Sequence, residues 1–148
     1  MIEKIGNIKC TGIDNIERDF ILSKENDNYK NIITFYVSLL PIIDIQPNFY
    51  MVVEKVFKPN NAYKVTMINC NNDEKFCKKG IPDSLLPRVA DYLQTEIISS
   101  SGIKEFKSTV GETRYPEATT MWERLRQKGI ATYSKREDIY TIDYKLLN

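Results

Sequence analysis

Apolar and polar positions along this chain follow two different rhythms. Up to about residue 70 the apolar residues come in short, dense runs. Beyond it they recur at three- and four-residue spacing. Residues 3–13 are mixed and suit a short strand. Asp14-Asn15 offers an N-cap, and Ile16, Phe20 and Ile21 share one helical face, so this spacing predicts a short helix. Residues 25–31 (ENDNYKN) are turn formers and read as a loop. Residues 32–40 (IITFYVSLL) are β-branched and aromatic, which predicts a buried strand. Pro41 and Pro47 bracket a loop or edge segment. Residues 49–57 (FYMVVEKVF) form a second strand, 58–61 (KPNN) a turn, and 63–70 (YKVTMINC) a third strand. Strand, tight turn and strand make a hairpin, so the middle of the chain reads as an antiparallel meander.

Residues 71–80 (NNDEKFCKKG) are a polar loop. Leu85, Leu86, Val89, Ala90, Leu93 and Ile97 then predict an amphipathic helix, with Asp83 or Ser84 as N-cap and Pro87 in or just after the first turn. Residues 97–101 suit a short strand, and 102–115 are a long polar connection. Pro116 opens a second helix, whose apolar face is Ala118, Met121, Trp122 and Leu125. Gly129 stands where a C-cap glycine belongs, after Arg124, Arg126 and Lys128 in the last turns. Residues 130–133 and 139–144 close the chain as a hairpin around 134–138. Tyr140, Ile142 and Tyr144 alternate on its last strand.

The chain has 148 residues, the length of one domain, and its 42% hydrophobic and 28% charged content predicts a globular core. Lys and Arg number 21 against 20 Asp and Glu, so net charge gives no reason to expect nucleic acid or an anionic membrane as partner. No apolar run approaches the ~20 residues that span a bilayer, and residues 1–6 lack a signal-peptide core. The cysteines Cys10, Cys70 and Cys77 match no CxxC or zinc spacing, which predicts reduced thiols and a cytoplasmic chain. There is no histidine. Any general base is therefore a carboxylate, tyrosine, lysine, cysteine or water. Glu54, alternating with apolar neighbours on its strand, is a candidate.

Two segments carry a resemblance. The first is Cys77-Lys78-Lys79-Gly80-Ile81-Pro82-Asp83-Ser84-Leu85-Leu86. The second is Tyr115-Pro116-Glu117-Ala118-Thr119-Thr120-Met121-Trp122-Glu123-Arg124-Leu125, followed by Lys128-Gly129-Ile130-Ala131. In their order and spacing, the elements from Tyr63 onward resemble the cofactor-binding half of the GCN5-related N-acetyltransferase (GNAT) family. The resemblance covers about half of the chain. It implies an α/β (α+β) fold: a GNAT-like mixed, largely antiparallel sheet flanked by helices. It also implies an acetyl-CoA or other acyl-CoA cofactor, an amine substrate, and a pyrophosphate cradled by backbone N–H groups at a helix N-terminus. The cofactor-binding positions carried over are Lys78, Lys79, Gly80, Ile81, Asp83 and Ser84, and no metal is implied. Cys77 stands where the family has Arg or Gln, and Pro82 where it has Gly or Ala. Tyr115 replaces an asparagine. Trp122 replaces a tyrosine that can protonate the departing thiolate, which an indole N–H cannot do.

These departures define a second expectation, a catalytically degenerate GNAT-like domain with a structural or interaction role. The abundance of Asn, Ile and Lys suits an AT-rich genome, so a phage or mobile-element protein acting in a virion or on a host protein partner fits that reading. A third reading takes the last helix and hairpin as the end of a winged helix, with Arg124, Arg126, Lys128, Lys135 and Arg136 facing nucleic acid. Glu112 and Arg114 in the long connection are expected to pair with solvent or each other. Trp122 is expected in the core.

Overall fold

The structure, a computed structural model, describes residues 1–41, 48–57 and 60–147. It is a mixed α/β fold with eight strands in one mostly antiparallel sheet and two α-helices. The strands are β1 (Glu3–Thr11), β2 (Glu17–Asp27), β3 (Ile32–Ser38), β4 (Phe49–Val56), β5 (Ala62–Asn69), β6 (Glu96–Ile98), β7 (Thr132–Ser134) and β8 (Ile139–Ile142). The helices are α1 (Ile81–Leu93) and α2 (Pro116–Gln127). The sheet order is β1-β2-β3-β4-β5-β6-β8-β7. β5 and β6 run parallel, joined through α1, and the ladders β1–β2, β2–β3, β3–β4, β6–β8 and β7–β8 are antiparallel. Strand outweighs helix: α1 and α2 are the α-helices among the described residues.

Two compact units divide the chain, Met1–Glu54 with Met67–Leu85, and Lys55–Thr66 with Leu86–Asn148. In the first unit, alternation puts Phe20 and Leu22 of β2, Phe35 and Val37 of β3, and Phe49, Met51 and Val53 of β4 in the core, each at most 2% exposed. Phe76 packs its ring 6.1 Å from Phe20. The predicted helix after Asp14 is instead a hairpin turn into β2. Asp14 does accept the N–H of Ile16, as a cap would, but Asn15 takes a left-handed φ of 61°. Gly12 N then donates to Ile16 O, and Arg18 holds both Asp14 oxygens. Phe20 and Leu22 decide the matter, because only strand alternation buries both. For the same reason β2 runs on to Asp27, into the segment predicted as loop. The Pro47 and Lys58-Pro59 parts of the expected turns lie outside the described residues.

The predicted loop 71–80 is closed by a disulfide. Asn71 and Asn72 both take left-handed φ values, folding the chain back so that Cys77 bonds Cys70 at a Cα–Cα distance of 5.4 Å. The expectation of three reduced thiols is overturned, and with it the ground for a reducing compartment. Cys10 is the free thiol, buried at 1% exposure. Burial pushes it up to about 11.

The first turn of α1 begins at Ile81, not at Asp83 or Ser84, and Gly80 O accepts Ser84 N. Pro82 therefore falls where the helix has no N–H bond to lose, and Pro87 lies inside the helix. Gln94, at φ 52°, ends α1, which leaves Ile97 to β6. In the second unit Leu86, Val89, Ala90, Ile97, Trp122, Leu125 and Ile142 are each at most 1% exposed. Trp122 is a core residue as expected. A Schellman motif ends α2: Gly129 N donates to Arg126 O and Ile130 N to Leu125 O, with Gly129 at φ 78°. β7 and β8 form the predicted closing hairpin.

Two glycines with left-handed φ separate strain from space. A Cβ on Gly129 meets nothing within 4 Å, whereas one on Gly80 would lie 2.0 Å from the Thr11 carbonyl oxygen. Gly129→Ala is expected to cost about 1 kcal/mol from backbone strain alone. Gly80→Ala is expected to cost well over ~2 kcal/mol, because a backbone clash adds to that strain. Urea unfolding of the two variants checks the order. Thiol titration checks the disulfide: one thiol in denaturant without reductant, three after reduction, and none reacting in the native protein.

Candidate functional site

The carried-over cofactor positions stand at one junction of the first unit, the loop leading into α1. Lys78 is exposed at φ 57°, and its carbonyl accepts Ile13 N at 3.3 Å. Gly80, at φ 73°, lies flat against the Thr11 backbone. Lys79 is close enough to Asp14 to help hold that carboxyl well below its usual range, after the larger effects of Arg18 and the Ile16 N–H. The two inner positions face the core: Ile81 is fully buried, and Ser84 hydrogen-bonds Cys10. Asp83 is half-buried in the first turn. The turn between β1 and β2 therefore packs on one side of this junction, and only a glycine fits at position 80.

The second unit holds a buried polar cluster that sequence patterning assigned to a solvated loop. Lys64, on β5, is 3% exposed. Its ammonium donates to both carboxylate oxygens of Glu112 at 3.2 Å, to Phe106 O at 2.9 Å and to Ser108 Oγ at 3.0 Å. Glu112 in turn accepts Ser101 N and Ser108 N, both at 2.9 Å. Every polar atom of the pair has a partner, which is what makes burial of two charges tolerable. Glu112 and Arg114 pair neither with solvent nor with each other.

Arg114 makes a second staple two residues on. Its guanidinium donates to Asp138 Oδ1 at 2.6 Å, Asp138 O at 2.9 Å, Ser100 O at 2.8 Å and Thr119 Oγ1 at 2.9 Å. It also lies 5.1 Å from the Tyr140 ring centre. Burial works against ionisation of Asp138, but Arg114, Tyr133 Oη and Gly102 N outweigh it and hold the carboxyl low. Where β6 ends, serines take over from the ladder. Ser99 Oγ accepts Tyr140 N, Ser100 Oγ donates to Val65 O, and Ser101 Oγ donates to Glu137 O.

Trp122 stacks on Tyr140 with ring centres 5.8 Å apart, and the Tyr133 ring centre lies 4.5 Å from that of Tyr140, tilted to it. The Tyr140 phenol donates to Glu123 Oε2 at 2.5 Å. Burial and Glu123 together push this phenol up to about 12. Glu123, held by Arg126 and Tyr140, is lowered to about 2. The Tyr140 phenol, stacked on Trp122, thus keeps its proton, hydrogen-bonded to Glu123, and is a poor acid. Arg126 pairs with the same carboxylate at 2.8 Å, and β7 and β8 belong to the eight-stranded sheet. Among the described residues no group of three His, Cys, Asp or Glu side chains can hold a metal ion, and no helix is long and apolar enough to cross a membrane. Compared with protein-family models, curated proteins and solved structures, the chain matches none.

Sequence reasoning found the junction before α1 and missed the Lys64–Glu112 pair. The available signal was a lysine inside an otherwise apolar strand (YKVTMI), where an unpaired charge is costly. Its partner lies 48 residues away. Removing one member alone, as in Glu112→Ala or Lys64→Ala, is expected to destabilise by about 3–5 kcal/mol, because it strands the other charge. The double variant is expected to lose clearly less than the sum. Urea unfolding of the four proteins measures the coupling.

Proposed function

We propose that this chain is an acetyltransferase-like domain that binds an acyl-CoA at the loop leading into α1 and transfers the acyl group to an amine. One observation carries this reading. Alongside the antiparallel ladders β1–β2, β2–β3, β3–β4, β6–β8 and β7–β8, the strands β5 and β6 run parallel, joined by a glycine-led helix. Their ladder covers Ala62–Lys64 against Glu96–Ile98 and then stops, while β5 continues to Asn69. The order strand, loop, glycine, helix and parallel strand is the one that the GNAT resemblance implies.

Direct transfer suits a histidine-free chain. The amine attacks the thioester carbonyl, the C–N bond forms, the C–S bond breaks, and the ammonium proton ends on the thiolate or in solvent. Lys78 and Lys79 would meet the pyrophosphate charge, with backbone N–H groups of the junction beside them. Ile81, fully buried, anchors the junction in the core. Glu54 is half-buried on β4 and remains the carboxylate proposed as base.

A second reading, the same domain without catalysis, has its own support. The β1–β2 turn already engages Lys78 O and Gly80, Pro82 offers no N–H, and the Tyr140 proton is committed to Glu123. Such a domain serves as a structural or protein-binding module. Isothermal calorimetry with acetyl-CoA at millimolar concentration separates the two. The first reading expects a saturable heat that Lys78→Ala/Lys79→Ala weakens, and acetylated amine detected by mass spectrometry. No heat from the folded protein leaves the second.

A further inference from the structure

The first unit carries a polar row on the sheet face opposite its core. Tyr36 lies on β3 between the buried residues Phe35 and Val37. Tyr50 lies on β4 between Phe49 and Met51. Strand alternation therefore turns both tyrosines to the other face. They are direct cross-strand partners, so the two side chains are neighbours on that face. Each hydroxyl has a partner on a further strand. On one side the Tyr36 phenol hydrogen-bonds Glu25 of β2. On the other, Tyr50 Oη donates to Met67 Sδ at 3.3 Å and accepts Asn69 Nδ2 at 3.2 Å.

The row offers, in its own side chains, groups that favour a cation. It combines a carboxylate, two aromatic faces and a thioether, each of which attracts a cation. The Glu25 side chain is 43% exposed and Met67 is 49% exposed, so both ends of the row reach solvent. The exposed α-ammonium of Met1 sits 3.4 Å from Glu25 Oε2, so a primary ammonium fits the position. Burial first, and then the neighbouring Glu25 charge, raise Tyr36.

We propose that Glu25, Tyr36 and Tyr50, with Met67 at the rim, form a binding site for a primary ammonium on an alkyl stem, of the kind a lysine side chain presents. The ammonium bonds the Glu25 carboxylate, and the stem lies across the two tyrosine rings toward Met67. The site rests on the acyl-transfer reading only in being called the acceptor site. Its binding is measured without coenzyme A, so either result can fail while the other stands.

The probe is Nα-acetyl-lysine methylamide, and the control is its neutral Nε-acetyl counterpart. Tyrosine ring signals are followed by NMR on ring-labelled protein, with Tyr36→Phe and Tyr50→Phe assigning the two signals. Saturable shifts confined to Tyr36 and Tyr50 are expected with the lysine probe and absent with the control. Glu25→Gln keeps the shape and is expected to weaken binding about tenfold, the loss of one charge-assisted bond. Tyr50→Leu removes a ring and is expected to weaken it several-fold. Tyr50→Phe keeps the ring and stays near wild type, so the test holds even if one variant folds poorly. Equal shifts from the neutral control, unchanged affinity in Glu25→Gln, or shifts spread to the fully exposed Tyr29 would overturn the site.

Discussion

The second unit depends on burying Lys64 and Glu112 together. An ammonium and a carboxylate that are each about 95% removed from solvent are tolerable only because every lone pair and proton finds a partner. Those partners are backbone and side-chain groups at residues 101, 106 and 108. The connection between β6 and α2 is thereby tied to β5 although it has little regular structure of its own. Two residues after Glu112, Arg114 extends the same device to the closing hairpin through Asp138. Both staples are ionic, and both hold irregular backbone where hydrophobic burial has little to grip.

The junction before α1 is governed by backbone sterics. Gly80 touches the Thr11 carbonyl closely enough that no side chain fits, and its left-handed φ makes the turn into the helix. Such a glycine serves a cofactor loop and a packing contact equally well. At the junction Lys78 is exposed and Lys79 half-buried near Asp14, while Tyr140, Glu123 and Arg126 near Trp122 are engaged with one another. The tyrosine row on the other face of the first unit gives a cationic ligand somewhere to sit, and it involves none of the junction residues.

Much of the architecture was legible in the chain itself. The strands β3, β4 and β5, both helices, the Gly129 cap and the closing hairpin all follow from periodicity and from residues whose preferences are local. The failures have one cause. Residues 14–21 carry both a capping aspartate and apolar residues at helical spacing, and pairing with β1 and β3 selected the strand. Cys70 and Cys77 match no motif, and two left-handed asparagines brought them together. Lys64, Glu112, Arg114 and Asp138 look like ordinary surface charges until the fold removes them from water.

The sequence by itself determined where backbone conformation is restricted, at Gly80, Pro116 and Gly129, and which runs of side chains must leave water. Those are properties of single residues and near neighbours. Tertiary structure alone decided which charges are buried, which cysteines bond, and that Glu25, Tyr36 and Tyr50 share one face. Each of these needs residues that are not chain neighbours to be brought into contact. Their partners lie between 7 and 48 positions away in the chain, and no local pattern records which of them will meet.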